Sequence, residues 1–305
     1  AMVRSAALEG IIKLPITQLE MLIEIPIRAL EDTSPKVRAT AARAADTILA
    51  KGINGSLRDR LRWSLGDEDA TVRSAAIETL TNHLALQERA MFIPMLNDPV
   101  ESVRYAAARA LMSTGDAFAS QLLPMMDVSH PLTCIAVCHA LQGAHAREVM
   151  EVALKLLDAD DDEVVSAALT VLANAGEPTV VKRVRELTNH PSWLVRANAV
   201  RAFCGLGMVD ATIAQSVARN ALNDEHFAVR NAALEVLANW GTAEDVESTA
   251  RLALKRETSE MALKALCEMA RKYRDAVAQL NAHPRKRIRM VGQTALAIVE
   301  HGSAR

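Results

Sequence analysis

An apolar residue, then arginine, then a run of small residues: this order returns along the whole chain. It appears as SPKVRATAARA from Ser34 and again as DATVRSAAIET, VESVRYAAARA, SWLVRANAVRA and HFAVRNAALEV. Taking the apolar position as an anchor, ten copies begin at Val3, Val37, Val72, Val103, Thr133, Val164, Val195, Val229, Thr258 and Ile288, spaced 29 to 35 residues apart. Four positions past the anchor stand Ala7, Ala41, Ala76, Ala107, Val137, Ala168, Ala199, Ala233, Ala262 and Gly292, a row of small side chains. Eight positions past it stand Ile11, Ala45, Leu80, Leu111, Leu141, Leu172, Phe203, Leu237, Leu266 and Leu296, a row of mostly large ones. Offsets 0, 4 and 8 share one face of an α-helix. Each copy therefore predicts a helix whose small row admits a close neighbour and whose large row fills the space beside it.

A second, less regular helix is predicted between each pair of copies, as in ITQLEMLIEIPIRAL, LRDRLRWSL, REVMEVALKLL and DVESTARLALK. Pro26, Pro94 and Pro124 fall inside such segments and should kink them. The turns NDPVES, SHPLT, NHPSW and AHPRK put proline near a helix start after a polar residue. In LANAGEP and LANWGTA the glycines, Gly176 and Gly241, read as helix ends. The unit is helix, turn, helix. The expected fold is all-α, a solenoid of about ten such units spanning 1–305 as a single array. Val3-Arg4 already belongs to a second helix, so the first repeat is incomplete and the chain is expected to be part of a longer polypeptide; Ala1-Met2 reads as a remnant of cloning.

Composition agrees with a thin, repeated core. Half of the 305 residues are apolar, yet only 3% are aromatic, fewer than a single thick core uses. A formal net charge of −2 supplies no global attraction to nucleic acid or anionic membrane. Cys134, Cys138, Cys204 and Cys267 sit within helical patterns, not in a disulfide framework, which suggests a reducing, cytoplasmic setting. No apolar run approaches the roughly 18 residues of a membrane-spanning helix, and no membrane insertion is expected.

The pattern L-x-D-x-x-x-x-V-R, in LEDTSPKVR, LGDEDATVR, LNDPVESVR and LNDEHFAVR, resembles HEAT repeats. The short period is similar to the bacterial HEAT-like type named from phycobilin lyase subunits. The resemblance covers essentially the whole chain and implies mainly scaffold roles. It further implies that Asp32, Asp67, Asp98 and Asp224 pair with anchor arginines of their own or adjacent repeats, in a ladder that keeps repeats in register. Cys134, Val165 and Ser259 stand where arginine is expected and would interrupt it.

No catalytic constellation emerges, and no cofactor or metal is assigned. Cys134 and Cys138 lie one turn apart beside His139, a spacing open to zinc, but no complementary ligand pair is evident and buried helical cysteines are the simpler reading. His130, His190 and His283 each precede a proline, which indicates turn construction. HEAT-like hydroxylases carry His-Glu dipeptides that are missing here. HEAT-like DNA glycosylases use aromatic and acidic residues in a basic groove, whereas Trp63, Trp193 and Trp240 occupy different repeat positions. The acidic run Asp158 to Glu163 precedes a helix start, where negative charge is favoured.

Two partner surfaces remain. In a stack of this kind the second helices line the concave side, with offsets 2, 6 and 9 facing out. At offset 6, Glu9, Arg43, Glu78 and Arg109 alternate in sign, so neighbouring repeats are expected to pair laterally. Tyr105, Arg109, Met112, Ile135, His139 and Gln142 form a candidate patch for a protein or peptide partner. The alternative is nucleic-acid binding along a basic edge of Lys182, Arg183, Arg185, Arg285, Lys286, Arg287 and Arg289. The sequence leaves the oligomeric state open.

Overall fold

The computed structural model describes residues 1–52, 56–175 and 177–302. Helices account for the regular structure, in two compact units, Ala1–Ala146 and Arg147–Arg305. The first holds α1 (Met2–Ile11), α2 (Ile16–Met21), α3 (Glu24–Ala29), α4 (Pro35–Ala50), α5 (Leu57–Trp63), α6 (Ala70–His83), α7 (Glu101–Met112), α8 (Ala119–Leu122) and α9 (Pro131–Ala140). The second holds α10 (Arg147–Leu156), α11 (Asp162–Leu172), α12 (Pro178–Leu187), α13 (Trp193–Leu206), α14 (Ala211–Ala221), α15 (Phe227–Trp240), α16 (Val246–Leu252), α17 (Ser259–Lys272), α18 (Arg274–Gln279) and α19 (Lys286–Gly302).

The anchored copies are the second helices. In the first unit α1, α4, α6, α7 and α9 pack in sequence order; in the second, α11, α13, α15, α17 and α19 do. The two rows that predicted them are the core. From Ala41 to Ala262 and from Ala45 to Leu266, no member of either row exposes surface. Ala7 is exposed and Leu296 half-buried, because α1 and α19 each have a packed second helix on one side only.

Local chemistry sets the helix starts. Asp69, Asp161 and Asp210 accept backbone N–H groups of the first turns of α6, α11 and α14, which satisfies donors that have no intrahelical partner. The acidic run at Asp158–Glu163 is thus partly a helix cap. Pro35, Pro131 and Pro178 take the first helical position of α4, α9 and α12, where the missing N–H costs nothing. The internal prolines act as expected. The segment with Pro26 breaks into α2 and α3, Pro94 lies within a 3-10 stretch from Leu86 to Asn97, and Pro124 within another from Leu123 to Met125.

Gly241 ends α15 as expected, in an extended conformation with φ −61° and ψ 158°. Its glycine is required by close approach: a Cβ would lie 2.4 Å from the Leu237 carbonyl oxygen and 2.6 Å from Met269 Cε. Gly176 falls outside the described residues. The ninth anchor, in contrast, is misplaced. Thr258 precedes α17, whose buried face is Ala262, Ala265, Leu266, Cys267, Met269 and Ala270. That spacing matches Val229, Ala232, Ala233, Leu234, Val236 and Leu237 of α15, so the register begins one turn later, at Ala262, and Leu263 takes the arginine position.

The arginines join one repeat to the next. Nη1 of each donates back to two carbonyls of its own turn: Arg38 to Asp32 and Thr33, Arg73 to Asp67 and Glu68, Arg196 to His190 and Pro191. Nε and Nη2 then fork onto the aspartate of the following repeat. The two distances are 2.7 and 2.9 Å for Arg4–Asp32, 2.7 and 2.8 Å for Arg38–Asp67, 2.8 and 2.8 Å for Arg73–Asp98, and 2.8 and 3.1 Å for Arg196–Asp224. Each aspartate also accepts the N–H two residues on, from Ser34, Asp69, Val100 or His226. Of the two pairings the resemblance allowed, own or adjacent repeat, the adjacent one is made. A planar fork on a carboxylate suits this geometry, because in these four pairs Nε and Nη2 each meet one carboxylate oxygen.

Where arginine is lost, the facing aspartate is lost as well. Cys134, Val165 and Leu263 are followed one repeat later by Ala159, His190 and His283 at the aspartate position. The two histidines keep the turn, Nδ1 accepting the N–H of Ser192 and of Arg285. No carboxylate is thereby left half-buried without its cation. Arg104 donates to the carbonyls of Asp98 and Pro99 but reaches no carboxylate among the described residues, and Arg230 reaches Glu257 through Nη2 alone at 3.2 Å.

Candidate partner-binding surfaces

Offset 2 of α7 puts Tyr105 on the outer face of the second helices, 60% exposed, with Arg109 one turn on and its guanidinium 5.9 Å from the ring centroid. That is within cation–π reach. Both side chains line a cavity of about 420 Å³ against α6, together with Glu78 and Asn82 of α6, Ser74 and Ser102. Among the residues expected to form the patch, Met112 is 40% exposed and Gln142 is exposed, while Ile135 and His139 on α9 are half-buried. Burial lowers the His139 pKa, which leaves the imidazole neutral at pH 7. The structure therefore sets Tyr105 and Arg109 in a cavity that opens toward α6, with Ile135 and His139 on the neighbouring helix on the other side. Ser74 and Asn82 were missed; both lie on the outward face of α6, Ser74 at the same offset as Tyr105.

The lateral ion pairs expected along this face are not made. Glu9, Arg43, Glu78 and Arg109 are all exposed, and none forms an ion pair among the described residues. The pairing at this offset occurs in the second unit, between Arg201 of α13 and Glu235 of α15 at 2.9 Å. Helices α4, α6 and α7 lie side by side, so the charge sequence plus, minus, plus from Arg43 through Glu78 to Arg109 is left unneutralised.

The basic edge is less available than its sequence suggests. Arg183 is engaged by Asp158 and by Glu186 at 2.8 Å. Lys182 and Arg185 line a cavity of about 300 Å³ with Val181, Val209, Ile213 and the acidic Asp210. Arg285, Lys286 and Arg287 are exposed at the start of α19, while Arg289 is half-buried and donates to the carbonyls of His283 and Pro284. Lys182 to Arg185 belong to α12 and the others to α19, three repeats apart, and the two groups do not merge into one patch.

The tryptophans have unrelated surroundings, with one exception that sequence reading missed. Trp63 is exposed under Arg60, and Trp240 donates through Nε1 to the Cys204 carbonyl at 2.9 Å. Trp193, however, stacks on His226 at 4.1 Å, and His226 meets Phe227 at 4.9 Å. Trp193 and Phe227 both stand two residues before an anchor, the one periodic trace of this cluster in the sequence.

The thiols are poorly suited to chemistry. Cys134 and Cys138 are fully buried. Their mutual hydrogen bond, burial and each other's charge push the Cys138 pKa well up, and burial pushes Cys204 up to about 11. No group of three or more metal-ligating side chains occurs among the described residues. Among the described residues no helix is long and apolar enough to cross a membrane.

Comparison with known proteins agrees with this arrangement. The family described as HEAT repeats matches residues 59–142, 120–203 and 182–283. Among solved structures, yeast importin-beta (Kap95p) is similar with a TM-score of 0.67 at 13% identity, over 97% of this chain and 50% of that one. A Kap95:Nup1 complex gives a TM-score of 0.65 at 13% identity, over 99% and 51%. The CpcE and CpcF complex of phycocyanin lyase from Nostoc sp. PCC7120 gives a TM-score of 0.45 at 18% identity, over 90% and 94%. The chain thus spans about half the length of the importin-beta chains it matches. No curated protein matches it.

Proposed function

Since the chain belongs to the HEAT-repeat family, we propose that it is a non-enzymatic scaffold that holds a protein or peptide partner on the second-helix face of its first unit. The observation that carries this reading is Tyr105. It is a large aromatic side chain, 60% exposed, beside an arginine and over a cavity of about 420 Å³. Tyrosine and arginine anchor interfaces because they bring large contact area and directed hydrogen bonds at modest entropic cost. Met112, 40% exposed on the same helix, extends the apolar contact. The importin-beta structure with a similar fold was determined as a complex with Nup1, which fits a scaffold role for such repeats.

The competing reading, nucleic acid along the basic edge, gains less support. Arg183 is already paired, Asp210 shares the cavity of Lys182 and Arg185, and the two basic groups sit three repeats apart. The readings differ in their response to salt. Phosphate contacts release counterions, so nucleic-acid affinity falls steeply as salt rises, whereas a groove anchored on Tyr105 is far less sensitive.

The test compares capture from lysate by the wild-type chain and by a Tyr105→Ala, Met112→Ser variant. Loss of a specific, salt-tolerant protein partner with unchanged far-UV circular dichroism supports the reading. Unchanged capture by the folded variant, or capture of nucleic acid alone, refutes it.

A further inference from the structure

The unpaired charges on the first unit's second-helix face define what kind of peptide fits it. Resting on the groove reading above, we infer that the occupant is a polyproline II segment carrying acidic, basic and acidic side chains at three-residue spacing, opposite Arg109, Glu78 and Arg43. Adjacent packed helices lie about 8–10 Å apart, and a polyproline II chain rises about 3.1 Å per residue with three residues per turn, so that every third side chain points to the same side. One turn of such a chain therefore spans about 9 Å, one helix of the stack. Residues at i, i+3 and i+6 meet α7, α6 and α4 in turn.

Charge decides the rest. Arg43, Glu78 and Arg109 occupy the same offset on three packed helices, are exposed, and form no ion pair among the described residues. At that offset the second unit neutralises itself through Arg201 and Glu235, 2.9 Å apart. Side chains long enough to pair across a repeat thus do so in one unit and stay apart in the other. Glu78 and Arg109 moreover line one cavity with Tyr105, alongside Ser74, Asn82 and Ser102, whose polar groups suit a peptide backbone. Beyond Arg109 the charge sequence stops, since His139 at the next helix is neutral. Toward α1 the alternation continues at the exposed Glu9, so a basic residue three positions beyond the one facing Arg43 would extend the match. The order also separates this occupant from polyanions, which Glu78 repels.

The test uses two blocked synthetic peptides, Asp-Ser-Ala-Lys-Ser-Ala-Asp and its charge inverse Lys-Ser-Ala-Asp-Ser-Ala-Lys. Each is titrated into the intact protein at low ionic strength with NMR detection, which registers weak binding. Three well-placed pairs replaced by three repulsive ones should separate the affinities by about tenfold in favour of the first peptide. The fully inverted variant Arg43→Glu, Glu78→Arg, Arg109→Glu changes only exposed side chains, and it should reverse the preference. Equal binding of both peptides would leave the groove reading standing and overturn the charge register. If neither peptide perturbs the groove resonances, the charge register is overturned, while the groove reading stands or falls on capture by the Tyr105→Ala, Met112→Ser variant. Sedimentation as a dimer through this face, with neither peptide bound, would identify a second copy as the occupant and likewise overturn the inference.

Discussion

Replacing Asp98 by alanine should destabilise the first unit by about 3 kcal/mol. Its carboxylate accepts Nε and Nη2 of Arg73 at 2.8 Å each, and the Val100 N–H at 2.9 Å. Both side chains are nearly enclosed, 11% exposed for Arg73 and 7% for Asp98. Removing one partner leaves an uncompensated buried charge, which is why the cost exceeds that of a surface pair. For a unit of this size the loss corresponds to a fall in Tm of roughly 6–12 °C. Urea unfolding followed by circular dichroism measures it. Two controls isolate the cause. Asp32→Ala breaks the same fork where Arg4 is 54% exposed, and should change stability little. The double replacement Arg73→Met, Asp98→Leu removes both charges and should recover most of the loss. An Asp98→Ala protein within about 0.5 kcal/mol of wild type, a change typical of an ordinary surface substitution, would refute the view that these forks tie repeats together.

Acid should loosen the same forks. Burial raises the Asp98 and Asp224 carboxyls, but the Arg73 and Arg196 forks and the backbone N–H bonds outweigh it and hold both pKa values below the ordinary range. A depressed carboxyl contributes stability that is complete above the unfolded pKa of about 3.9 and lost as pH falls through the folded value. The urea midpoint should therefore change little from neutrality to about pH 5 and drop below about pH 4; a midpoint that rises on acidification would contradict this. Gly205→Ala should destabilise the second unit by about 1–3 kcal/mol. A Cβ there would lie 2.3 Å from the Ala173 carbonyl oxygen and 2.8 Å from Asn174 Oδ1, and an alanine variant of wild-type stability would show that α11 and α13 do not pack so closely. All four thiols should resist alkylation at neutral pH in the native protein, since three have pKa values pushed up, Cys204 to about 11, and Cys134 is fully buried; one thiol reacting within minutes would contradict their placement.

The core and the ladder were legible because they repeat. A row such as Ala41, Ala76 and Ala107 recurs at fixed offset, and burial follows from helical geometry. What escaped depended on side-chain reach or on local register. The alternation of Glu9, Arg43, Glu78 and Arg109 reads equally well as paired or unpaired charges, because sequence fixes which helix face a residue occupies but not where its rotamer points. The ninth anchor misled for a related reason. Thr258 lies on the same face as Ala262, one turn away, and either begins a plausible periodic run until burial chooses between them. The Trp193–His226 stack needed a contact between consecutive turns, which periodicity alone does not supply.

The direct test of the groove is hydrogen–deuterium exchange of the whole chain with and without the Asp-Ser-Ala-Lys-Ser-Ala-Asp peptide. Protection should concentrate in α4, α6 and α7, around Arg43, Glu78, Tyr105 and Arg109, and leave α12 and α19 unchanged. Protection confined to the segments of Lys182–Arg185 and Arg285–Arg289, with none near Tyr105, would contradict it.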